Sequence, residues 1–389
     1  MNIKEIQKLV EYTIFNNIAL SKAGKSPVSL NIIGESGIGK TDSIREVCNK
    51  INMPFLEIDL SGREDVGDLL GLPIEKYEVC LPNDPTCQWI PSSIINFYQN
   101  KGYEFTGRSR MEYSIPQSMM FDPSTPLILY LDDYSRATPS ILQAAMTLLK
   151  DGKINNWILP KGSTVICSSN PDDSDYEVTS VDKAHSSRSI KIDAEFDLNI
   201  WFENYGLKNV DQRGINFLIN FKDELSFDKV NIRLWTLFFD QISGIQDWDK
   251  DLSMIKNIMT EDQFTKEYPS LFTQFIAGKL DKLPSIEYLF NEDFNTVKET
   301  LESLTKDRLD IVNIIKERLI LFSSTLTGKE SDFKAYCTRI KELIELTQIF
   351  SEDHIWSMIL SIGKNQYIPT EILFSEYQRI SKINMSKDN

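Results

Sequence analysis

The sequence predicts an α/β protein in which a core with a parallel five-stranded sheet between helices is followed by an all-helical region. Two observations support this fold class. Up to about residue 196, short apolar runs alternate with amphipathic stretches, which is typical of a parallel sheet covered by helices. From residue 197 onward, helical periodicity continues without further strong strands. We therefore predict a core over 1–196, a helical lid over 197–290 and a further helical region over 291–389.

The core begins with a predicted helix over 2–22, where branched aliphatic residues recur at helical spacing. Further helices are predicted to start at residue 42 and to cover 139–150. The predicted buried strands lie, in chain order, over 28–33, 54–60, 126–133, 163–168 and 189–193.

A long insertion over 74–125 separates the second and third of these strands. It shows no clean periodicity and is rich in turn-forming residues. A connection of this length inside a compact domain is usually functional or mobile. Its aromatic residues are interleaved with cations, a combination that could bind a polymer or a partner protein. The alternative is that the aromatic residues pack the insertion onto the core.

The first strand leads into a complete phosphate-binding loop of the form G-x-x-x-x-G-K-[ST], and a helix follows it. Backbone N–H groups of such a loop turn toward phosphate oxygens, helped by the positive end of the helix dipole. Lys40 is placed to reach the β- and γ-phosphates, and the Thr41 hydroxyl to bind Mg²⁺. An ordinary glycine-rich turn is the alternative, but the flanking strand and helix favour nucleotide binding. The predicted nucleotide-binding residues are Gly34, Glu35, Ser36, Gly37, Ile38, Gly39, Lys40 and Thr41, together with Asp132.

Polar residues also follow two later strands of the core, and an arginine precedes the last one. Asp132 and Asp133 end an apolar strand, an arrangement that delivers one carboxylate to Mg²⁺ and a second to the attacking water. Asn170 ends the next strand, where it could bond a γ-phosphate or the water; taken on its own, an asparagine before proline is more typical of a turn. Arg188 precedes the last strand.

The composition limits the possible partners. A formal net charge of −15 over 389 residues argues against binding of DNA or an anionic membrane through the overall charge of the protein. A local basic groove is compatible with this net charge. The longest apolar runs are too short to span a bilayer. The five cysteines form no metal-ligand spacing, and their closest pair, Cys80 and Cys87, is not expected to be disulfide-bonded. These features favour a reduced, cytoplasmic protein.

Several motifs resemble those of AAA+ ATPases, and more closely of the MoxR and dynein-related (midasin-like) branch. The heptapeptide 131–137, L-D-D-Y-S-R-A, is similar to the branch pattern L-D-E-x-x-R-A. The segments 67–71, 151–153, 159–162 and 169–171 resemble further motifs of that branch. The resemblance covers roughly residues 28–245.

The resemblance implies a role for each matching residue. Asp132 is the carboxylate beside Mg²⁺, and Asp133 stands where the family has a catalytic glutamate. Asn170 matches the sensor 1 position, and Arg233 resembles the sensor 2 arginine of the helical lid. Arg188 matches the arginine that such proteins present to a neighbouring subunit's nucleotide. Solvated surface charge is the alternative for both arginines.

The family further implies a Mg²⁺-dependent ATPase that hydrolyses ATP to ADP and phosphate. It is expected to form a homo-oligomeric ring, typically a hexamer, that remodels a protein partner. Partners of this branch are often von Willebrand A domain proteins.

Two other functions stay open. One is a motor or loader on nucleic acid, for which the net charge offers no support. The other is a weakly hydrolysing, nucleotide-gated scaffold, because Asp133 is one methylene shorter than glutamate. The insertion is longer than the family core needs, and residues 291–389 have no assigned counterpart.

Overall fold

The computed structural model describes residues 1–82, 86–114, 116, 119–155, 157–171 and 187–387, with side chains through residue 381. The chain divides into two units, Met1–Phe196 and Asp197–Asn389. The first contains a parallel five-stranded sheet between helices, and the described elements of the second are helices. The predicted fold class is therefore confirmed. The further division of the second unit at residue 290 stays a prediction.

The central sheet of the first unit is parallel throughout and has the strand order β10-β1-β9-β6-β2. Its strands are β1 Ser29–Ile33, β2 Phe55–Asp59, β6 Ile128–Asp132, β9 Thr164–Ser169 and β10 Ser189–Asp193. Each overlaps a strand predicted from the sequence. Because β9 lies between β1 and β6, the phosphate-loop strand and the carboxylate strand flank one common neighbour. Their carboxyl ends therefore meet at one edge of the sheet.

Helices cover both faces of this sheet. The helices of the first unit are α1 Ile3–Lys22, α2 Lys40–Ile51, α3 Gly67–Leu70, α4 Ile95–Asn100 and α5 Pro139–Asp151. Residues of β6 alternate between the two faces: Tyr130 packs in the cluster with α1 and α2, whereas Leu129 and Leu131 pack in the cluster with α5. A short hairpin of β7 Lys153–Ile154 and β8 Trp157–Ile158 follows α5.

The insertion contains regular structure that the sequence patterns did not reveal. It forms a three-stranded antiparallel sheet in the order β4-β3-β5, built from β3 Pro73–Cys80, β4 Cys87–Pro91 and β5 Glu104–Tyr113. Residues 104–111 of β5 are all exposed. Because this part of β5 has no buried face, its sequence shows no alternation of apolar and polar residues. The strand was therefore not predicted from the sequence.

The expectation that Cys80 and Cys87 are not bonded is wrong for this structure. They form a disulfide, with Cα atoms 4.4 Å apart. The cause is the antiparallel register of β3 and β4, which places the two cysteines directly opposite each other. Spacing along the chain alone does not show that register. The other cysteines, Cys48, Cys167 and Cys337, are buried and unbonded.

The second unit is built around aromatic side chains. Phe217 and Trp235 lie at its centre, with ring centroids 5.3 Å apart, and further phenylalanines pack on both. Its helices are α6 Leu198–Trp201, α7 Leu207–Asn209, α8 Gln212–Asn220, α9 Ile232–Ile242, α10 Leu252–Ile258, α11 Tyr268–Ala277, α12 Ile286–Asn291, α13 Phe294–Thr305, α14 Leu309–Thr325, α15 Phe333–Ile344, α16 Glu352–Ile362 and α17 Glu371–Lys387. Within the described ranges of the whole chain, no helix combines the length and apolar character needed to cross a membrane.

The disulfide can be tested by counting thiols. Unfolded, unreduced protein should react with maleimide at three cysteines, and reduced protein at all five. A Cys80→Ser/Cys87→Ser double variant is the control and should give the same thiol count with and without reductant. Five reactive thiols before reduction would contradict the disulfide.

Candidate nucleotide-binding site

The phosphate-binding loop occupies the turn from β1 into α2. Gly37 and Gly39 adopt the left-handed region, with φ of 84° and 93°, where a side chain would be strained. Gly39 is the residue immediately before α2. These two glycines let the backbone wind tightly into the first turn of the helix, so that its free N–H groups face the loop.

Gly34 fixes the loop against two neighbouring strands. Its N–H donates to the Ser169 carbonyl at the end of β9, at 3.1 Å. A Cβ atom at Gly34 would stand 2.8 Å from the Ala194 carbonyl oxygen and 2.9 Å from Ile38 Cδ1. The loop thus begins where there is no room for a side chain.

Lys40 lies across the loop. Its ammonium donates to the carbonyl oxygens of Gly34 and Glu35, at 2.5 and 3.0 Å. Burial lowers the pKa of Lys40, and the charges of Asp132 and Asp133 partly oppose that shift. Phosphate oxygens in the loop would favour the ammonium in the same way, so nucleotide binding would offset part of the cost of burying this charge.

Thr41 and Asp132 meet at the carboxyl edge of the sheet. Thr41 Oγ1 donates to Asp132 Oδ2 at 3.2 Å. The other carboxylate oxygen, Oδ1, accepts from Ser168 Oγ and from the N–H of Asp133, the latter at 3.1 Å. Asp132 is therefore held at both oxygens by groups from α2, β9 and its own turn.

The residues present suit a Mg²⁺ ion. Mg²⁺ takes oxygen ligands and usually completes its shell with water and substrate phosphates, so one hydroxyl and one carboxylate side by side are a sufficient protein contribution. Over the described part of the chain, no group of three or more His, Cys, Asp or Glu side chains could hold a metal ion. A cation at Thr41 and Asp132 would thus depend on the nucleotide for further ligands.

Asp133 turns away from the strand. Its backbone is left-handed, with φ of 50°, and its carboxylate lies 3.5 Å from Arg136 Nη1. The side chain is 32% exposed, so water reaches it. Its N–H donates to Ser168 Oγ at 3.1 Å, which anchors the turn at the edge of the sheet.

Asn170 follows β9 directly and is buried, with 3% of its surface exposed. Its N–H donates to Ser135 Oγ at 3.1 Å, linking the tip of β9 to the turn after β6. One residue earlier, Ser169 Oγ donates to Asn31 Oδ1 at 2.9 Å. The structure thus brings Asn170 to the same edge as Lys40 and Asp132.

The first of the two predicted arginines, Arg188, does not lie at this edge of the sheet. Arg188 precedes β10, whose first residue is in register with the first residue of β1. The loop follows the last residue of β1, so Arg188 and the loop lie at opposite ends of the sheet. β10 has five residues, and at about 3.3 Å per residue its ends are roughly 16 Å apart. Arg233 is an exposed residue in the first turn of α9, in the second unit.

Sequence reasoning missed two side chains of the site, Tyr130 and Ser168. Tyr130 OH lies 3.2 Å from Thr41 Oγ1, and Ser168 contacts both Asp132 and the Asp133 N–H. Each sits inside a run that reads as a buried strand. A buried hydroxyl needs a hydrogen-bond partner, so a tyrosine or serine within an apolar run was the sequence signal that could have indicated these two residues.

No protein-family model and no curated protein matches this chain. Among solved structures it is similar to RuvB from Thermotoga maritima, described as a Holliday junction branch migration motor, with 10% identity, a TM-score of 0.31 and coverage of 77% of this chain and 76% of that chain. Two point mutants of the same protein give 9% and 10% identity, TM-scores of 0.32 and 0.33, and 79% coverage of both chains. These values are too low to assign the chain to a family.

Gly34→Ala tests the packing of the loop. The added methyl must displace Ala194 or Ile38, so we expect a loss of about 1–3 kcal/mol in the free energy of unfolding together with weaker nucleotide binding. Gly24→Ala is the matched control: nothing lies within 4 Å of its Cβ position and φ is +71°, so about 1 kcal/mol of backbone strain is expected with unchanged nucleotide affinity. Denaturant unfolding and titration with a fluorescent ATP analogue measure the two effects, and equal nucleotide affinity in both variants would contradict the packing argument.

Proposed function

We propose that this protein is a Mg²⁺-dependent ATPase of the AAA+ superfamily, in the MoxR and dynein-related branch, which works as a homo-oligomeric ring. The observation that carries the proposal is the convergence of Lys40, Thr41, Asp132 and Asn170 at the carboxyl edge of one parallel sheet. Parallel α/β sheets bind ligands at that edge. A phosphate loop, a carboxylate and a strand-tip amide are the groups that phosphoryl transfer needs.

Each residue has a distinct role in the proposed reaction. The loop N–H groups and Lys40 hold the phosphates, while Thr41 and Asp132 hold Mg²⁺. When bound, Mg²⁺ neutralises charge that develops on the phosphate oxygens. Asp133 orients the attacking water, for which its partial exposure is suited. Asn170, whose backbone N–H is fixed by Ser135, supplies a side-chain amide for the γ-phosphate.

The position of Arg188 supports a ring. A charge about 16 Å from the loop along the sheet is beyond the reach of an arginine side chain toward its own nucleotide. The same residue can approach the nucleotide of another copy. An arginine supplied in this way stabilises charge in the transition state and makes hydrolysis depend on assembly. By the family resemblance, Arg233 has the sensor 2 role.

A protein is the favoured partner rather than a nucleic acid. The cations of the three-stranded sheet are already engaged: Arg108 lies 3.5 Å from Glu78, and Lys76 and Arg110 both contact Glu112. Nucleic acid binding needs cations that can neutralise phosphates. A von Willebrand A domain protein is the partner type that the family resemblance suggests.

Mixing inactive variants tests the shared site. Lys40→Ala and Arg188→Ala should each lower the ATPase rate by at least about 100-fold, since each removes charge stabilisation of the transition state. A 1:1 mixture should regain activity, because random assembly joins an intact loop to an intact arginine at about a quarter of the interfaces of a ring. Arg379→Ala, which alters an arginine paired with Glu376 in the second unit, is the control and should retain the wild-type rate.

The ATPase rate per protein should also rise with protein concentration. A rate that is independent of concentration and of Arg188 would rule out the shared site. Absence of nucleotide binding in wild type would overturn the proposed function as a whole.

Asp133→Glu tests the short catalytic carboxylate. Glutamate extends the side chain by one methylene toward the water, and because misplacement by about 1 Å can cost 100-fold, we expect kcat to rise about tenfold with little change in KM. Asp59→Glu, on the neighbouring strand β2, is the control and should leave kcat unchanged. Tight ATP binding with negligible turnover in both wild type and Asp133→Glu would instead indicate the nucleotide-gated scaffold.

A further inference from the structure

Tyr130 places a phenol beside the predicted metal ligands. It is fully buried in the middle of β6, two residues before Asp132, and therefore on the same side of the strand. Its ring packs against Phe55, with centroids 5.6 Å apart, and its hydroxyl lies 3.2 Å from Thr41 Oγ1. An aliphatic residue would fill a buried strand position without the cost of burying a hydroxyl. The phenol oxygen therefore calls for a reason beyond packing.

Counting protons lets us assign a direction to the hydrogen bond between Tyr130 and Thr41, in which either oxygen could be the donor. Thr41 has one hydroxyl proton, and it is donated to Asp132 Oδ2. Ser168 likewise donates its single hydroxyl proton to Asp132 Oδ1. The remaining proton is that of Tyr130, whose hydroxyl contacts both Ser168 and Thr41, and in this arrangement it is donated to Thr41 Oγ1. This bond leaves the second lone pair of Thr41 Oγ1 available for a cation.

We propose that Tyr130 is a positioning residue for Mg²⁺, which acts by donating a hydrogen bond that fixes the Thr41 hydroxyl in the orientation required to bind the ion. This inference rests on the proposed nucleotide site. Without the phenol, the hydroxyl of Thr41 can rotate and must be ordered when the ion binds. Hydrogen-bond partners of metal ligands commonly contribute 10- to 100-fold to metal affinity.

The test measures the Mg²⁺ dependence of nucleotide binding rather than turnover. A fluorescent ATP analogue is titrated into full-length protein in EDTA and then at increasing Mg²⁺. Tyr130→Phe keeps the ring and removes the donor, so we expect unchanged affinity in EDTA and an increase of about tenfold in the Mg²⁺ concentration for half-maximal enhancement. Thermal unfolding of the variant establishes that it is folded.

Tyr268→Phe is the matched control. Tyr268 is a buried tyrosine of the second unit whose hydroxyl accepts from the Ser226 N–H at 2.9 Å. Its loss should lower the thermal midpoint and leave the Mg²⁺ dependence unchanged. An equal change in both variants would mean that Tyr130 has only a structural role.

A double variant tests the route through Thr41. Thr41→Ala should itself raise the Mg²⁺ requirement, and adding Tyr130→Phe to it should change nothing further, because the group that Tyr130 positions is gone. Additive effects would overturn the proposal, as would an unchanged Mg²⁺ requirement in Tyr130→Phe alone. Failure of the proposed function can be told apart from failure of this inference. Wild-type protein that binds no nucleotide would overturn the proposed function, whereas wild-type protein that binds nucleotide with the same Mg²⁺ requirement as Tyr130→Phe would overturn this inference alone.

Discussion

The candidate site depends on holding one carboxylate, Asp132, half-buried at the end of β6. An ionised carboxylate can only accept hydrogen bonds, and here every oxygen finds donors from Thr41, Ser168 or the following N–H. These donors come from α2, from β9 and from the turn after β6. The single anion thereby fixes the relative positions of the loop helix and two strands. Lys40 supplies the opposite charge nearby, which limits the cost of burying either group.

The strand order turns distant sequence segments into one site. β9 lies between β1 and β6, so residues from its end reach the loop on one side and the carboxylates on the other. Ser169 bonds Asn31 and the Gly34 N–H, whereas Ser168 bonds Asp132. Adjacent residues of a strand point to opposite faces, and β9 uses both. A polar strand end in this position therefore connects the loop proposed to hold phosphates to the carboxylate proposed to hold the metal.

The sequence was sufficient to predict the core and the loop because their signals are local. A buried strand is a short apolar run, and the phosphate loop is a contiguous motif with a strand before it and a helix after it. Features that depend on pairing between strands were not predictable. The disulfide follows from the register of β3 and β4, and β5 has no buried face to produce alternation. The donor role of Tyr130 depends on the contact between α2 and β6. These elements are far apart in the sequence, so no local sequence pattern indicates it.

The same geometry separates the residues of the site into two classes. Lys40, Thr41, Asp132 and Asn170 sit at the carboxyl edge of the sheet, and their roles need only one chain. Arg188 sits at the amino end of the edge strand β10, so no rotamer of its side chain can bring it across the length of that strand to its own loop. β10 is an edge strand of this sheet and pairs with β1. If Arg188 acts on a phosphate, that phosphate is therefore not the one at its own loop.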